Sequence, residues 1–430
     1  MRVAIDGFNL ALPRGTGVAT YGFGLARALQ GMGHVVDGVF GLNAGNSAET
    51  RELLFFDAFG REQPFGKSEK RRFIRRPMLR TLFPLNLSEV PLTDKVEKRD
   101  FQYRLPHFDR VYTYPYLFEL AFARFRLTRS FLTIKLPQTP DVMHWTYPVP
   151  VRVQGARNIY TIHDLVPLRM PHTTLDDKKT YHDLVKQCVM DGHHVCTVSE
   201  ASRQDILAHF PVAPEKMTNT YQTAPIPAEI NQSSLEDDAK IIGELFKLNN
   251  RGYFLFFGAI DPKKNVDRIL EAYLKSGSSL PLVMVLGRDW GLGYRRRRKS
   301  PPTDIFERHD DRKIIQLEYL PRPMLFRLIR MARAVVFPSL YEGFGLPALE
   351  AIQLGTPVLT SNLSSLPEVV GNAGLQVDPY SADAIAHGFI KMETDENLYR
   401  EMLSAAPAQV SKFSDEAYLD RLTQMYSRIV

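Results

Sequence analysis

Cysteine is nearly absent from this chain of 430 residues. Its two thiols, Cys188 and Cys196, match no metal-ligand spacing and build no disulfide framework. They read as packed side chains of a reducing, cytoplasmic protein. No run of 18 apolar residues occurs, which argues against a spanning helix. The opening Met-Arg-Val-Ala-Ile-Asp-Gly lacks the apolar segment of a signal peptide and reads as a first strand ending at Asp6. Acidic residues are slightly outnumbered, 48 to 54, giving a net charge of +6. That excess is local. Residues 61–80 hold Arg61, Lys67, Lys70, Arg71, Arg72, Arg75, Arg76 and Arg80 against Glu62 and Glu69. No nucleic-acid recognition motif accompanies the charge, so nucleic acid is not an expected partner.

What is present is a soluble composition, 44% hydrophobic and 24% charged, on a chain long enough for two cores. Strand-like and helix-like segments alternate in both halves, the mark of parallel sheets covered on both faces. In the first half Arg2–Ile5, Val35–Phe40, Val142–His144, Ile159–Ile162 and His194–Val198 read as strands, with helices over Val18–Gln30 and Glu200–His209. In the second, Tyr253–Phe257, Leu282–Leu286, Ile314–Leu317, 334–337 and Pro357–Thr360 read as strands, with helices over Val266–Leu274, Pro323–Met331 and 347–354. Residues 45–140 give no ordered pattern. The expected division is a first domain over 1–225, a polar linker over 226–249 and a second domain over 250–412.

The richest stretch is 336–350, Val-Phe-Pro-Ser-Leu-Tyr-Glu-Gly-Phe-Gly-Leu-Pro-Ala-Leu-Glu. A buried strand runs into a Gly343-x-Gly345 turn whose backbone can approach a ligand closely. Pro347 suits the first turn of a helix, with Glu350 in that turn and Glu342 in the loop before it. A helix N-terminus in such a loop attracts anions. Carboxylates only accept hydrogen bonds, so Glu342 and Glu350 suit hydroxyls and not phosphate. One ligand class has phosphate at its centre and hydroxyl-rich rings at either side, and that is a nucleotide sugar.

The stretch resembles the Glu-x7-Glu motif of retaining glycosyltransferases of family 4, with the Glu-Gly-Phe-Gly-Leu-Pro core intact. The resemblance implies the GT-B architecture, an α/β fold of two doubly wound Rossmann-like domains facing across a cleft. A last helix, 413–430, is expected to pack back on the first domain. It also implies transfer of a hexose from a nucleotide-diphosphate donor to an acceptor hydroxyl. Attack is from the front face, the leaving diphosphate takes the acceptor's proton, and no enzyme nucleophile is needed. The branch is most similar to bacterial enzymes of surface-polysaccharide and lipopolysaccharide assembly, with a lean to mannosyltransferases. No Asp-x-Asp pair occurs, so no metal or other cofactor is expected beside the donor.

Further residues match the family's pattern. Gly258-Ala-Ile-Asp-Pro-Lys263-Lys264-Asn265 follows a strand of the second half, at the carboxyl edge where ligands bind. Lys263 and Lys264 are expected to meet the diphosphate as it leaves. The family commonly has Arg-Lys here, and Lys-Lys keeps the charge without the bidentate fork. Gly15-Thr16-Gly17 resembles the family's glycine-rich loop, with amides for phosphate or acceptor. His163, in Tyr-Thr-Ile-His163-Asp164, matches the histidine that faces the reacting sugar. Arg288, Tyr319, Leu320, Phe344 and Leu346 fall at donor-binding positions, Glu368 at one that braces the donor loop, and Arg203 is a candidate phosphate partner. Ser199 is expected only to cap the following helix.

Three alternatives stand beside this expectation. One is a protein of the same fold that binds nucleotide sugars without transferring them. A dinucleotide fold is disfavoured because the glycines around Gly15, Gly17 and Gly22 are misplaced and Asp37 sits mid-strand. For the basic segments 61–80 and 122–135, interleaved with apolar residues, an anionic membrane surface and a lipid-linked glycan acceptor are one reading, and a solvated domain surface is the other. The run Arg295–Lys299 reads as a solvated loop.

Overall fold

A computed structural model describes residues 1–13, 16–61, 77–93, 95–259, 261–286, 314–317 and 320–429. Outside them lie Gly15, Arg288, Tyr319, most of the basic segment 61–80 and the run Arg295–Lys299. The chain forms two compact units, Met1–Thr223 with Asp415–Val430, and Ala224–Ser414. Among the described residues no helix is long and apolar enough to cross a membrane.

The strands in chain order are β1 (Arg2–Asp6), β2 (Val35–Phe40), β3 (Leu85–Asn86), β4 (Ser88–Val90), β5 (Arg110–Thr113) and β6 (Leu132–Lys135). They continue as β7 (Val142–Trp145), β8 (Val151–Val153), β9 (Arg157–Ile162), β10 (His194–Thr197) and β11 (Met217–Asn219). The first unit's main sheet has the order β11-β10-β9-β7-β1-β2-β5-β4. All its pairs are parallel except β4 with β5. A small parallel sheet, β3-β6-β8, lies beside it. The central strands are buried along nearly their whole length, as expected when helices cover both faces of a sheet.

The described residues of 45–140 are built into helices and strands, not irregular. Helix Arg51–Gly60 buries Phe55, Phe56 and Phe59, and these join Phe40, Phe101 and Phe108 in an aromatic cluster with centroids 5.2–6.3 Å apart. β5 extends the main sheet, and helix Leu117–Thr128 packs Phe118 and Phe125 into the core. Part of the basic stretch 122–135 turns inward. Arg124 donates to Thr81 O and Phe131 is buried, while Arg129 stays exposed and donates to Thr180 Oγ1 at 2.9 Å.

The last helix, Asp415–Ile429, belongs to the first unit. It supplies Tyr426, whose hydroxyl lies 2.5 Å from His144 Nδ1. His144 Nε2 meets Thr161 Oγ1 at 2.8 Å, and Thr161 meets the Tyr21 hydroxyl at 3.0 Å. All four side chains are buried, so this chain of hydrogen bonds satisfies polar groups that water cannot reach. Burial holds the His144 imidazole neutral, with its pKa lowered to about 3.

In the second unit β12 (Phe254–Gly258), β13 (Leu282–Leu286), β14 (Ile314–Leu317), β15 (Ala334–Phe337), β16 (Val358–Ser361) and β17 (Gly374–Val377) form one parallel sheet. Its order is β14-β13-β12-β15-β16-β17, which reverses direction between β12 and β15. The expected linker 226–249 is not a linker. It folds into helices Ala228–Gln232 and Leu235–Phe246 within this unit. Ser234 caps the second helix, and buried Asp238 pairs with Arg327 and Arg330 at 3.0 Å. Its polar residues are caps and ion-pair partners, which is why they resemble linker composition.

Candidate active site

Ligands of doubly wound sheets bind at the carboxyl ends of strands where the order reverses. In the second unit that point lies between the loops after β12 and β15, and both predicted motifs fall there. Leu340 N donates to Lys263 O at 2.7 Å, which ties the loops together. Lys264 Nζ donates to Glu342 Oε1 at 2.6 Å and lies 4.4 Å from the Phe337 ring centroid. Burial alone would raise the Glu342 pKa. The charges of Lys264 and Lys263 overcome it and hold the carboxyl below its usual range, so this nearly buried group stays ionised.

Neighbouring residues fix the loops. Asn265 takes the left-handed conformation at φ 62°, which asparagine tolerates, and donates to Pro338 O and Pro379 O at 3.1 and 2.7 Å. Ser365 Oγ donates to Glu342 O and Phe344 O at 2.9 and 2.7 Å, and Ser364 Oγ accepts from Glu342 N at 3.0 Å. These two serines, next to the predicted brace Glu368, hold the glycine turn. Glu368 contributes its carbonyl to Gln409. Gly345 has φ 105°, and a Cβ there would come within 2.7 Å of Leu366. Glycine is therefore required on two counts. Gly258 is required for its φ of 141° alone, since the space beside it is open.

Helix Leu346–Gln353 starts at Gly345, so Glu350 stands in its second turn and not, as expected, its first. Glu350 is largely buried, and desolvation raises its pKa to about 7 despite Arg322, whose Nη2 lies 3.6 Å away. Phe344, expected at the donor, turns its ring edge-on to Phe413 at 5.5 Å. Leu346 is the first residue of the helix, and Leu320 lies just before helix Arg322–Met331.

In the first unit the strand order reverses between β1 and β7, and three residues meet at the carboxyl ends there. Asp6 accepts from Phe8 N at 3.2 Å and from both the amide and the hydroxyl of Thr146. Thr146 O accepts from His163 Nε2 at 2.9 Å, which assigns the ring proton to that nitrogen. Ser202 Oγ donates to the His163 carbonyl at 2.6 Å, and Tyr21 packs edge-on to the ring at 5.0 Å. Burial lowers the His163 pKa and raises that of Asp6 to about 6. Gly17 begins helix Gly17–Gly31, with Thr16 accepting from Ala19 N as its N-cap. Ser199 caps helix Glu200–His209, as expected. Arg203 is held by Glu200 at 3.0 Å and by Pro214 O at 3.3 Å, so the side chain expected to meet phosphate serves its own helix.

Asp6, Thr146, Ser365, Asn265 and Arg322 were not foreseen. Asp6 at a strand end was the one readable signal. The others act through contacts with residues distant in sequence. A groove of about 770 Å³ by Arg157 and His193 opens at the amino end of β9 and holds none of the predicted site residues.

The comparisons bear on family and fold. Residues 237–409 match the family "Glycosyl transferases group 1". The chain is 33% identical over 275 residues to O-antigen chain mannosyltransferase B of Escherichia coli, spanning 62% of this chain and 69% of that protein. It is 30% identical over 219 residues to O-antigen chain mannosyltransferase RfbU of Salmonella typhimurium, 51% of this chain and 56% of the relative. It is 26% identical to the Escherichia coli serotype-specific mannosyltransferase WbdA, but spans only 33% of it. Sucrose-phosphate synthase from Thermosynechococcus elongatus superposes with a TM-score of 0.65 at 18% identity, covering 100% of this chain and 99% of that one. Anabaena HepE, solved with UDP and glucose, gives 0.63 at 14% identity with full coverage of both. The fold is GT-B, and the chain belongs to the group 1 glycosyltransferases.

Proposed function

We propose that this glycosyltransferase is retaining and metal-independent, and moves mannose from a nucleotide-diphosphate donor to a hydroxyl of a growing, lipid-linked surface glycan. The observation that carries the donor side is the ion pair Lys264–Glu342 at the β12–β15 switch point. A buried ionised carboxylate with a lysine on one oxygen keeps acceptor capacity for sugar hydroxyls, while the two lysines offer charge to phosphate. In the proposed step the bond from the anomeric carbon to phosphate breaks and the bond to the acceptor oxygen forms on the same face. The acceptor's proton passes to the departing phosphate oxygen. Glu350 takes the ribose hydroxyls and Glu342 those of the transferred sugar. The amides of Gly343–Gly345 face phosphate, and His163 is assigned to the sugar.

Mannose is favoured by the O-antigen mannosyltransferases to which the chain is similar. Work at the inner face of a membrane is favoured by the exposure of Leu82, Phe83 and Leu127, at 66, 74 and 73%, in segments that carry exposed Arg80 and Arg126. A thermal-shift screen of GDP-, UDP- and ADP-hexoses tests the donor, with a mannose donor expected to give the largest rise. Product NMR is expected to show the donor's anomeric configuration, and turnover is expected to survive excess chelator. Failure of any donor to bind would sink the reading. Binding without transfer or hydrolysis would favour a nucleotide-sugar sensor.

A further inference from the structure

A cavity of about 190 Å³ in the first unit opens beside His163, between its loop and the segment that precedes helix Lys178–Asp191. Tyr147 and Tyr181 line it together with Asp164, Asp176 and Thr174. Among the described residues that line it there is no lysine or arginine. Its histidine is kept neutral by burial, and its proton is committed to Thr146 O.

The lining residues define the chemistry of the occupant. Two tyrosine rings offer flat apolar faces with a polar tip. Tyr181 is fixed by donation to Asp164 O at 3.1 Å, and Tyr147 packs against Phe8 at 6.0 Å between centroids. Asp164 is oriented by the amide of Val166, 3.0 Å from its Oδ1. Both carboxylates act on one ring, since burial first and then Asp164 and Asp176 raise the Tyr147 pKa. An anion entering here meets two carboxylates, and the ammonium of Lys178 beside the cavity is engaged by Thr174 O and Oγ1 at 2.6 and 3.1 Å. A ring with hydroxyls to donate and C–H faces to stack meets acceptors and aromatic surface.

We infer that this cavity is a subsite for a neutral hexopyranose unit of the acceptor glycan, gripped by Tyr147, Tyr181, Asp164 and Asp176. The assignment rests on the proposed glycosyl transfer. It excludes from this cavity the phosphate of a lipid carrier, which must lie elsewhere.

Saturation-transfer NMR on the full chain tests it, with methyl α-mannopyranoside as the neutral probe and α-mannose 1-phosphate as the anionic one. The neutral glycoside is expected to bind, to lose at least about tenfold in affinity in Tyr147→Ala, and to weaken severalfold in Asp176→Asn. Asp176 is exposed, so the second variant does not depend on refolding of the Phe8–Tyr147 contact. Any binding of the phosphate is expected to be indifferent to both changes. Absence of glycoside binding to the native chain overturns the inference, as does equal binding to both variants or a phosphate signal that depends on Tyr147. Donor hydrolysis by the native chain is measured in parallel. Its absence from the native chain counts against transfer, while a lost glycoside signal with hydrolysis intact counts against the subsite alone.

Discussion

At the β12–β15 switch point a buried carboxylate keeps its charge, because Lys264 stands 2.6 Å from Glu342. At the β1–β7 switch point the buried groups lean the other way. Asp6 titrates near 6 and His163 below its usual range, with only neutral partners in contact. The same sheet topology thus holds a buried charge beside a cation in one unit and, in the other, two buried groups, Asp6 and His163, that burial pushes toward neutrality. The first matches a diphosphate donor, and the second matches an acceptor that brings hydroxyls. What decides between them is whether a cation was placed within reach, since burial alone pushes every one of these groups toward neutrality.

The sharpest way to break this contrast is to remove the cation. Lys264→Ala is expected to lower kcat about 10²- to 10³-fold, the effect of one lost preorganised partner of developing charge. It should also reverse the pH dependence contributed by Glu342. In the native chain that carboxyl is depressed, so its stabilisation is present above the unfolded pKa of 4.5 and fades as pH falls. Without the lysine, burial raises the pKa, and stability falls as pH rises. Denaturant titrations between pH 4 and 9 read the sign. Unchanged turnover would remove Lys264 from the mechanism.

Glu350 is the intermediate case, in a longer ion pair with Arg322 at 3.6 Å. Its pKa is raised from 4.5 to about 7, so it favours the folded state fully below 4.5 and loses that contribution as pH rises through 7. The loss amounts to about 3 kcal/mol at alkaline pH. Glu350→Gln should therefore be stabilised relative to the native chain at pH 8.5 and not at pH 4, by chemical denaturation at each pH. Gly345→Ala comes next, with a cost of about 1–3 kcal/mol from its φ of 105° and the contact with Leu366. Donor affinity should fall with it, as measured by calorimetry. The smallest effect belongs to the neutral side. Ser202→Ala frees the His163 carbonyl for about 1 kcal/mol and should lower kcat severalfold with little change in donor KM. A large change in donor KM would show that the two sites are not chemically separate.

Much of the second unit was legible because its signals are local. A strand of four apolar residues, Gly-x-Gly and a helix-starting proline occupy 334–347 in unbroken order, and Lys264 lies seven residues after a clean strand. The first unit hid more. Helix Arg51–Gly60 buries Phe55, Phe56 and Phe59 but exposes Leu53 and Leu54, so its apolar residues do not trace one stripe. β5 has four residues and ends in threonine, too short to carry a pattern. The engagement of Arg203 by its own Glu200 was not legible, because a basic residue early in a family-like helix looks the same with or without such a partner. Asn265 and Ser365 act through backbone carbonyls 73 to 114 and 21 to 23 positions away, a kind of contact no spacing rule reveals.

The bond from Tyr426 to His144 has a consequence for biosynthesis. The ring it satisfies sits in the middle of the first sheet, yet the tyrosine is translated after all of Ala224–Ser414. While the ribosome is still making the second unit, the first holds a buried imidazole with one nitrogen unanswered and an uncovered apolar strip where Leu422, Met425 and Ile429 will pack. The later-made unit can therefore finish folding before the earlier one. A released chain ending at Ser414 should be cut by protease in its first half and spared in its second.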